Sequence, residues 1–155
     1  MDIVILLAMI FAHIFADFVF QNNFMATYKQ KKNWESYVLD DGGKKYKNDY
    51  IVVLLVHSFS WAFITYLPLL YYECYLYYAL LVILQTPIHA YIDHVKCNLL
   101  KINLVTDQAL HLCQIVVPFV LYKVFILLAK MFSSILGMIG PHNDKGRDLA
   151  RIGCN

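Results

Sequence analysis

Histidine and aspartate are nearly the only titratable residues in the apolar stretches of this chain, and they recur four residues apart. The pairs are His13 with Asp17, His89 with Asp93, and Asp107 with His111. Residues at i and i+4 lie on the same face of a helix. Three helices would therefore each present one imidazole and one carboxylate on a single stripe. A lone histidine, His57, lies early in a further apolar stretch.

Imidazole nitrogens and carboxylate oxygens are together typical ligands of zinc, iron or manganese. The candidate ligands are His13, Asp17, His57, His89, Asp93, Asp107 and His111. They would hold either one metal, with the remaining carboxylates orienting the imidazoles, or two metals. A network that only stabilises helix packing would be expected to oppose aspartate with arginine or lysine, and only Lys96 does so, at the rim. We therefore predict a divalent transition metal of unspecified identity. Neutral His–Asp hydrogen bonds between helices, or a proton or ion pathway, are the alternatives.

The composition indicates a membrane protein. Of 155 residues, 60% are hydrophobic and 15% are charged, whereas a soluble domain has about 45–50% and 25%. The net charge of +2 is too small and too scattered to indicate nucleic-acid binding. A transmembrane helix needs roughly 20 mostly apolar residues. Four segments qualify, at about residues 3–20, 50–71, 75–91 and 109–128. We predict an all-α, integral-membrane four-helix bundle in one domain, residues 1–140, followed by a polar mobile tail, residues 141–155.

The loop between the first two spans, residues 22–49, is rich in lysine. Its six lysines are Lys29, Lys31, Lys32, Lys44, Lys45 and Lys47. Positive residues near span ends favour the cytoplasm, so this loop is predicted to be cytoplasmic and both termini to face outside. Helical rise then places all the candidate ligands in the cytoplasmic leaflet of the bundle. Aromatic residues interleaved with the lysines indicate either a helix lying at the interface or a solvated loop.

The motifs resemble those of a known family. The stretch from Ala12 to Gln21, followed by Met25, Ala26 and Lys29, resembles a bacterial and phage membrane-protein family known as domain-of-unknown-function family 3307. The pattern continues with the lone His57, with His-x3-Asp-x2-Lys at His89, Asp93 and Lys96, and with Asp-Gln-x2-His at Asp107, Gln108 and His111. The resemblance covers about residues 1–125. It implies a multi-pass protein of the bacterial inner (cytoplasmic) membrane, and no established activity.

More distantly, the chain is similar to families described as membrane-bound metal-dependent hydrolases, which carry intramembrane His and Asp motifs. We therefore expect a metal-dependent hydrolase that acts on a lipid or amphiphile from the cytoplasmic leaflet. A bound metal would generate hydroxide, Asp17 or Asp107 would act as general base, and Lys96 would hold an anionic headgroup or phosphate. Membrane lipid is the expected partner, and a homo-oligomer is left open. The alternative is a non-enzymatic membrane module, either a proton or ion conductor or a phage-type effector of a host membrane partner, with a structural His/Asp cluster.

Overall fold

The computed structural model of the protein describes residues 2–35, 46 and 48–139, and every element in that part of the chain is helical. In chain order these are α1 (Asp2–Phe18), α2 (Asn23–Tyr28), α3 (Lys31–Glu35), α4 (Asp49–Tyr66), a 3-10 helix (Leu67–Tyr72), α5 (Tyr75–Cys97) and α6 (Leu104–Ile139). The predicted all-α class is confirmed there. The predicted tail, residues 141–155, and the centre of the predicted loop, residues 36–45, lie outside the described residues.

Three of the described helices are long and apolar enough to cross a membrane, where the sequence predicted four spans. They are Asp49–Tyr72, Tyr75–Cys97 and Leu104–Ile135. The first predicted span, residues 3–20, corresponds to α1, which has 17 residues. At 1.5 Å per residue α1 is about 25 Å long, slightly less than the roughly 30 Å of a bilayer's hydrocarbon core.

Two of the helices extend beyond the spans predicted within them. The span predicted to end at residue 91 continues as α5 to Cys97, with Pro87 inside it, so Lys96 is helical. The span predicted at residues 109–128 is α6, which has 36 residues and is about 54 Å long. It begins after Asn103, whose side-chain oxygen accepts a hydrogen bond from the backbone N–H of Thr106 at 2.9 Å, as an N-cap does. The polar residues inside these helices interrupt the apolar runs, so the hydropathy pattern did not show the full length of either helix.

α1 extends along α4 from one end of the bundle to the other. At its start, Asp2 accepts hydrogen bonds from the Tyr72 hydroxyl at 2.8 Å and from the Lys123 ammonium at 2.7 Å. Near its end, Asp17 Oδ1 lies 3.6 Å from His57 Nε2. α1 therefore lies beside the part of α4 and the 3-10 helix that runs from His57 to Tyr72.

The half of the bundle around the start of α1 is packed with apolar and aromatic side chains. The buried core there includes Ile5, Met9, Trp61, Tyr66, Leu69, Ile115 and Phe119. Pro118 in α6 has no N–H, so the carbonyl of Gln114 lacks its helical partner. The Tyr66 hydroxyl donates to that carbonyl at 2.7 Å. A neighbouring helix thus satisfies a polar group that apolar surroundings would otherwise leave unpaired.

Residues 22–35, called here the cap segment, fold back over the end of α5. Asn22 caps α2 by accepting from the N–H of Met25 at 2.8 Å. Asn98 holds the segment from the other side: its amide donates to the carbonyl of Lys29 at 3.1 Å and accepts from the N–H of Lys31 at 2.7 Å. The described part of the predicted loop is therefore two short helices.

Candidate metal centre

The structure brings all seven predicted ligands together at one end of the bundle, where α1 and α5 end and α4 and α6 begin. Six of them are buried, namely His13, His57, His89, Asp93, Asp107 and His111. The side chain of Asp17 is only 9% exposed. This convergence follows from the antiparallel order of the helices, because each carries its polar residues near the same end.

Three of these residues, each from a separate helix, form one group whose nitrogen and oxygen atoms have suitable spacing for a metal ion. His57 Nε2 lies 3.6 Å from Asp17 Oδ1 and 3.4 Å from His89 Nε2, and His89 Nε2 lies 4.0 Å from Asp17 Oδ1. We call this group the Asp17/His57/His89 triangle. The point in the plane of these three atoms that is equidistant from them lies about 2.1 Å from each atom. This distance matches zinc–nitrogen and zinc–oxygen bond lengths of about 2.0–2.2 Å. The triangle therefore has the dimensions of a three-ligand metal site.

A second group with suitable spacing comprises His89, Asp93 and His111. His111 Nε2 lies 3.6 Å from Asp93 Oδ1 and 3.5 Å from Asp107 Oδ1. The second group shares His89 with the triangle, and its carboxylate already binds a lysine. We therefore regard the triangle as the better metal site.

Lysines oppose two of the three carboxylates, contrary to prediction. Lys29, which is 7% exposed, donates to Asp93 Oδ2 at 2.7 Å. Lys96 donates to Asp107 Oδ2. The expectation that only Lys96 would oppose an aspartate was wrong, because the cap segment brings Lys29 into the cluster. The motif behind the family resemblance includes Lys29, and that is the one sequence signal that separates it from the other five lysines of the loop.

The environment of Lys29 keeps it charged. Burial alone would lower the pKa of its ammonium, but the adjacent Asp93 carboxylate outweighs burial and raises that pKa above its ordinary value. A charged Lys29 then neutralises Asp93. Asp17 is left as the cluster carboxylate without a lysine partner among the described residues. With neutral imidazoles, the cluster has one negative charge in excess.

Several buried polar atoms of the cluster have no hydrogen-bond partner among the described residues. They are Asp17 Oδ1, His89 Nδ1, Asp107 Oδ1 and His111 Nε2. Unsatisfied buried polar groups are rare in proteins, and each calls for an explanation. Asp17 Oδ1 is also a corner of the triangle, so a cation there would satisfy it.

His13 differs from the other histidines because both of its ring nitrogens have protein partners. Trp61 Nε1 donates to His13 Nδ1 at 2.8 Å, and Gln108 Oε1 lies 3.2 Å from His13 Nε2. His13 Nδ1 also lies 3.6 Å from Asp17 Oδ2. Because it accepts from Trp61, Nδ1 carries no proton and cannot donate to Asp17. His13 Nε2–H instead donates to Gln108, whose amide nitrogen lies 3.5 Å from Asp17 Oδ2, so His13 supports Asp17 through Gln108. Trp61, which sequence reasoning missed, stacks on His89 with ring centroids 4.1 Å apart; its spacing of four from His57 was an available signal.

Two cavities flank the triangle. An apolar cavity of about 210 Å³ is lined by Ala16, Phe20, Met25, His57, Ser60, Trp61 and Ile64. A polar cavity of about 40 Å³ is lined by Asp17, Phe18, Gln21, Lys29, Asp93, Lys96, Leu104, Asp107 and Gln108. His57 lines the first cavity and Asp17 the second, so each cavity includes one residue of the triangle.

Comparison with known proteins identifies the family but no characterised relative. A family model described as "Protein of unknown function (DUF3307)" matches residues 5–138, so the chain belongs to this family. The resemblance carried by the His, Asp and Lys motifs is thereby confirmed. No curated protein and no solved structure matches the chain.

Proposed function

We propose that this member of the DUF3307 family is a membrane-embedded, metal-dependent hydrolase that acts on a lipid or amphiphile. The observation that carries the proposal is the Asp17/His57/His89 triangle, with its distances of 3.4, 3.6 and 4.0 Å. Three protein ligands of this kind, with the remaining position open, are typical of catalytic zinc sites. The uncompensated charge of Asp17 supports a cation at the same point.

In this proposal α1 is the fourth span. Its length of 17 residues lies at the lower limit for a membrane-crossing helix. Its contacts with Tyr72 at one end and with His57 at the other support a position beside most of the Asp49–Tyr72 span. With the basic cap segment in the cytoplasm, the triangle lies in the cytoplasmic leaflet of a bacterial inner membrane.

A divalent ion in the triangle would lower the pKa of its bound water and supply hydroxide near neutral pH. Asp17 is assigned as a ligand, which leaves Asp107 as the general base. Asp107 lines the polar cavity with Asp17, and its Oδ1 has no hydrogen-bond partner among the described residues. It accepts the proton of the attacking water and returns it to the departing oxygen. The water oxygen would bond to the acyl carbon or phosphorus as the bond to that departing oxygen breaks, while Lys96 holds Asp107 in place.

Elemental analysis of the protein tests the metal. Protein purified in nonionic detergent without chelator is expected to hold at least one transition metal per chain, and His89→Ala is expected to lose it. His94→Ala is the matched control on the same helix, since His94 stacks on Tyr50 with centroids 5.9 Å apart, outside the triangle. Circular dichroism should show both variants helical. Wild-type protein that remains unloaded after incubation with zinc, manganese or iron(II) would rule out the metal site.

Hydrolysis is tested with chromogenic probes. Metal-loaded protein is expected to release p-nitrophenolate from p-nitrophenyl butyrate or bis(p-nitrophenyl) phosphate, and Asp107→Asn is expected to retain the metal but lose the activity. Loaded wild-type protein that cleaves neither probe, nor any dodecyl ester or dodecyl phosphodiester, would leave a metal-binding module without hydrolase activity.

The second candidate is a non-enzymatic module with a hydrogen-bonded polar cluster. The separation of 3.4 Å between His57 Nε2 and His89 Nε2 also suits a direct hydrogen bond. A proton on His111, between Asp93 and Asp107, would then balance the third carboxylate. A transmembrane conductor is the weaker form of this candidate, because the described core beyond Trp61 is mainly apolar and aromatic. Metal-free protein that folds stably would favour this module.

A further inference from the structure

Two lysines from separate parts of the chain reach the same small polar cavity. Lys29 belongs to the cap segment and Lys96 to the last turn of α5, and both line the cavity beside Asp17. Lys96 is the more accessible, with 27% of its side chain exposed. Paired ammonium groups at a cavity beside a hydrolytic centre are suited to an anionic group of the substrate.

The charge of the cavity argues against an anion unless a metal is bound. Lys29 and Lys96 are matched by Asp93 and Asp107, and Asp17 adds a further negative charge. An anion would therefore meet a neutral or negative site. A divalent ion in the triangle adds two positive charges next to Asp17. The gain of two charges between the metal-free and the metal-bound site is the same whether or not His111 carries a proton. Binding of metal and binding of anion must then favour each other.

We propose that the substrate has a phosphate-type anionic head, which binds at the opening of the polar cavity beside Lys96 only after the metal is bound; the cavity itself, at about 40 Å³, has room for little more than one water. This inference rests on the proposed function. Both lysines line this cavity, and each can contact the head while retaining its carboxylate partner, because an ammonium group has three donors. The positive charge of the bound metal is by itself enough to make the anion bind after the metal, and no conformational change is needed.

The apolar cavity argues that this anion is the head of an amphiphile and not a free ion. His57 lines this cavity and Asp17 lines the polar one, and the two residues approach to 3.6 Å between His57 Nε2 and Asp17 Oδ1. The apolar cavity's volume of about 210 Å³ is below the 300–1,000 Å³ typical of pockets that enclose a whole ligand. Its rim residue Phe20 is 56% exposed. The cavity thus fits the first part of an alkyl chain whose remainder lies in the bilayer.

Equilibrium binding of labelled dodecyl phosphate to zinc-loaded and metal-free protein, in the same nonionic micelles, tests the inference. Zinc is expected to tighten binding by 5–150-fold, the usual range of coupling between sites. Dodecyl phosphate is expected to tighten zinc retention by the same factor, because coupling is reciprocal. Lys96→Gln should weaken binding to loaded protein roughly tenfold. Lys101→Gln, an exposed lysine five residues further on, should leave it unchanged.

The possible results separate this inference from the proposed function. Protein that loads zinc but binds dodecyl phosphate equally with and without it overturns the coupling, while the metal site stands. Protein that never loads zinc overturns both proposals. Inorganic phosphate that binds as tightly as dodecyl phosphate overturns the amphiphile and leaves a free-anion site. The comparison of loaded with metal-free wild-type protein decides the outcome even where Lys96→Gln does not fold.

Discussion

Lys29→Met is expected to destabilise the bundle by about 3–5 kcal/mol, although Lys29 lies outside the predicted spans. The Lys29 ammonium and the Asp93 carboxylate are 2.7 Å apart, and the two residues are 7% and 2% exposed. At an effective dielectric constant of about 20, Coulomb attraction at that distance is about 6 kcal/mol. Relaxation of the site reduces the loss to the range measured when one partner of a buried pair is removed. Methionine retains most of the stem, so the difference reports the charge.

The assay is equilibrium unfolding in mixed micelles of nonionic detergent and sodium dodecyl sulfate, followed by circular dichroism at 222 nm. Lys32→Met is the matched control, because Lys32 is exposed on the same cap segment and a surface change of this kind is usually within about 0.5 kcal/mol. Combining Lys29→Met with Asp93→Asn should recover most of the loss, since no charge is then buried alone. A Lys29→Met protein within 1 kcal/mol of wild type would refute this reasoning.

Two further predictions concern the support of the site and the orientation of the chain. Trp61→Phe is expected to leave His13 Nδ1 without its hydrogen-bond donor. This loss should destabilise the bundle by about 1–3 kcal/mol and weaken zinc retention roughly 10–100-fold in competition dialysis. The control Trp34→Phe, in the cap segment, should leave zinc retention intact. Ser36→Cys is expected to resist an impermeant maleimide in intact cells and to react after permeabilisation, with the unaltered chain as background. Labelling from outside would reverse the orientation.

The spacing of polar residues predicted the cluster because it depends only on helix periodicity. His13 and Asp17 share a helix face at i and i+4, and their side chains approach to 3.6 Å as expected. The antiparallel order of the helices then brings the other pairs to the same end. Lys29 was beyond this reasoning, because its partner Asp93 is 64 residues away. Their contact depends on how the cap segment packs, and periodicity does not determine that.

The roles within the cluster show a further difference between spacing and structure. Each i,i+4 pair places two groups on one helix, whereas the triangle takes one residue from each of three helices, α1, α4 and α5. The remaining members have supporting contacts: His13 binds Trp61, and Asp93 binds Lys29. An i,i+4 pair in the sequence therefore predicts that its helix contributes to the site. Whether a residue of the pair would bind a metal or would support another residue depends on its neighbours in the folded chain, which the spacing does not give. His57, the one histidine of the cluster without an aspartate four residues away, is the residue closest to both other corners of the triangle.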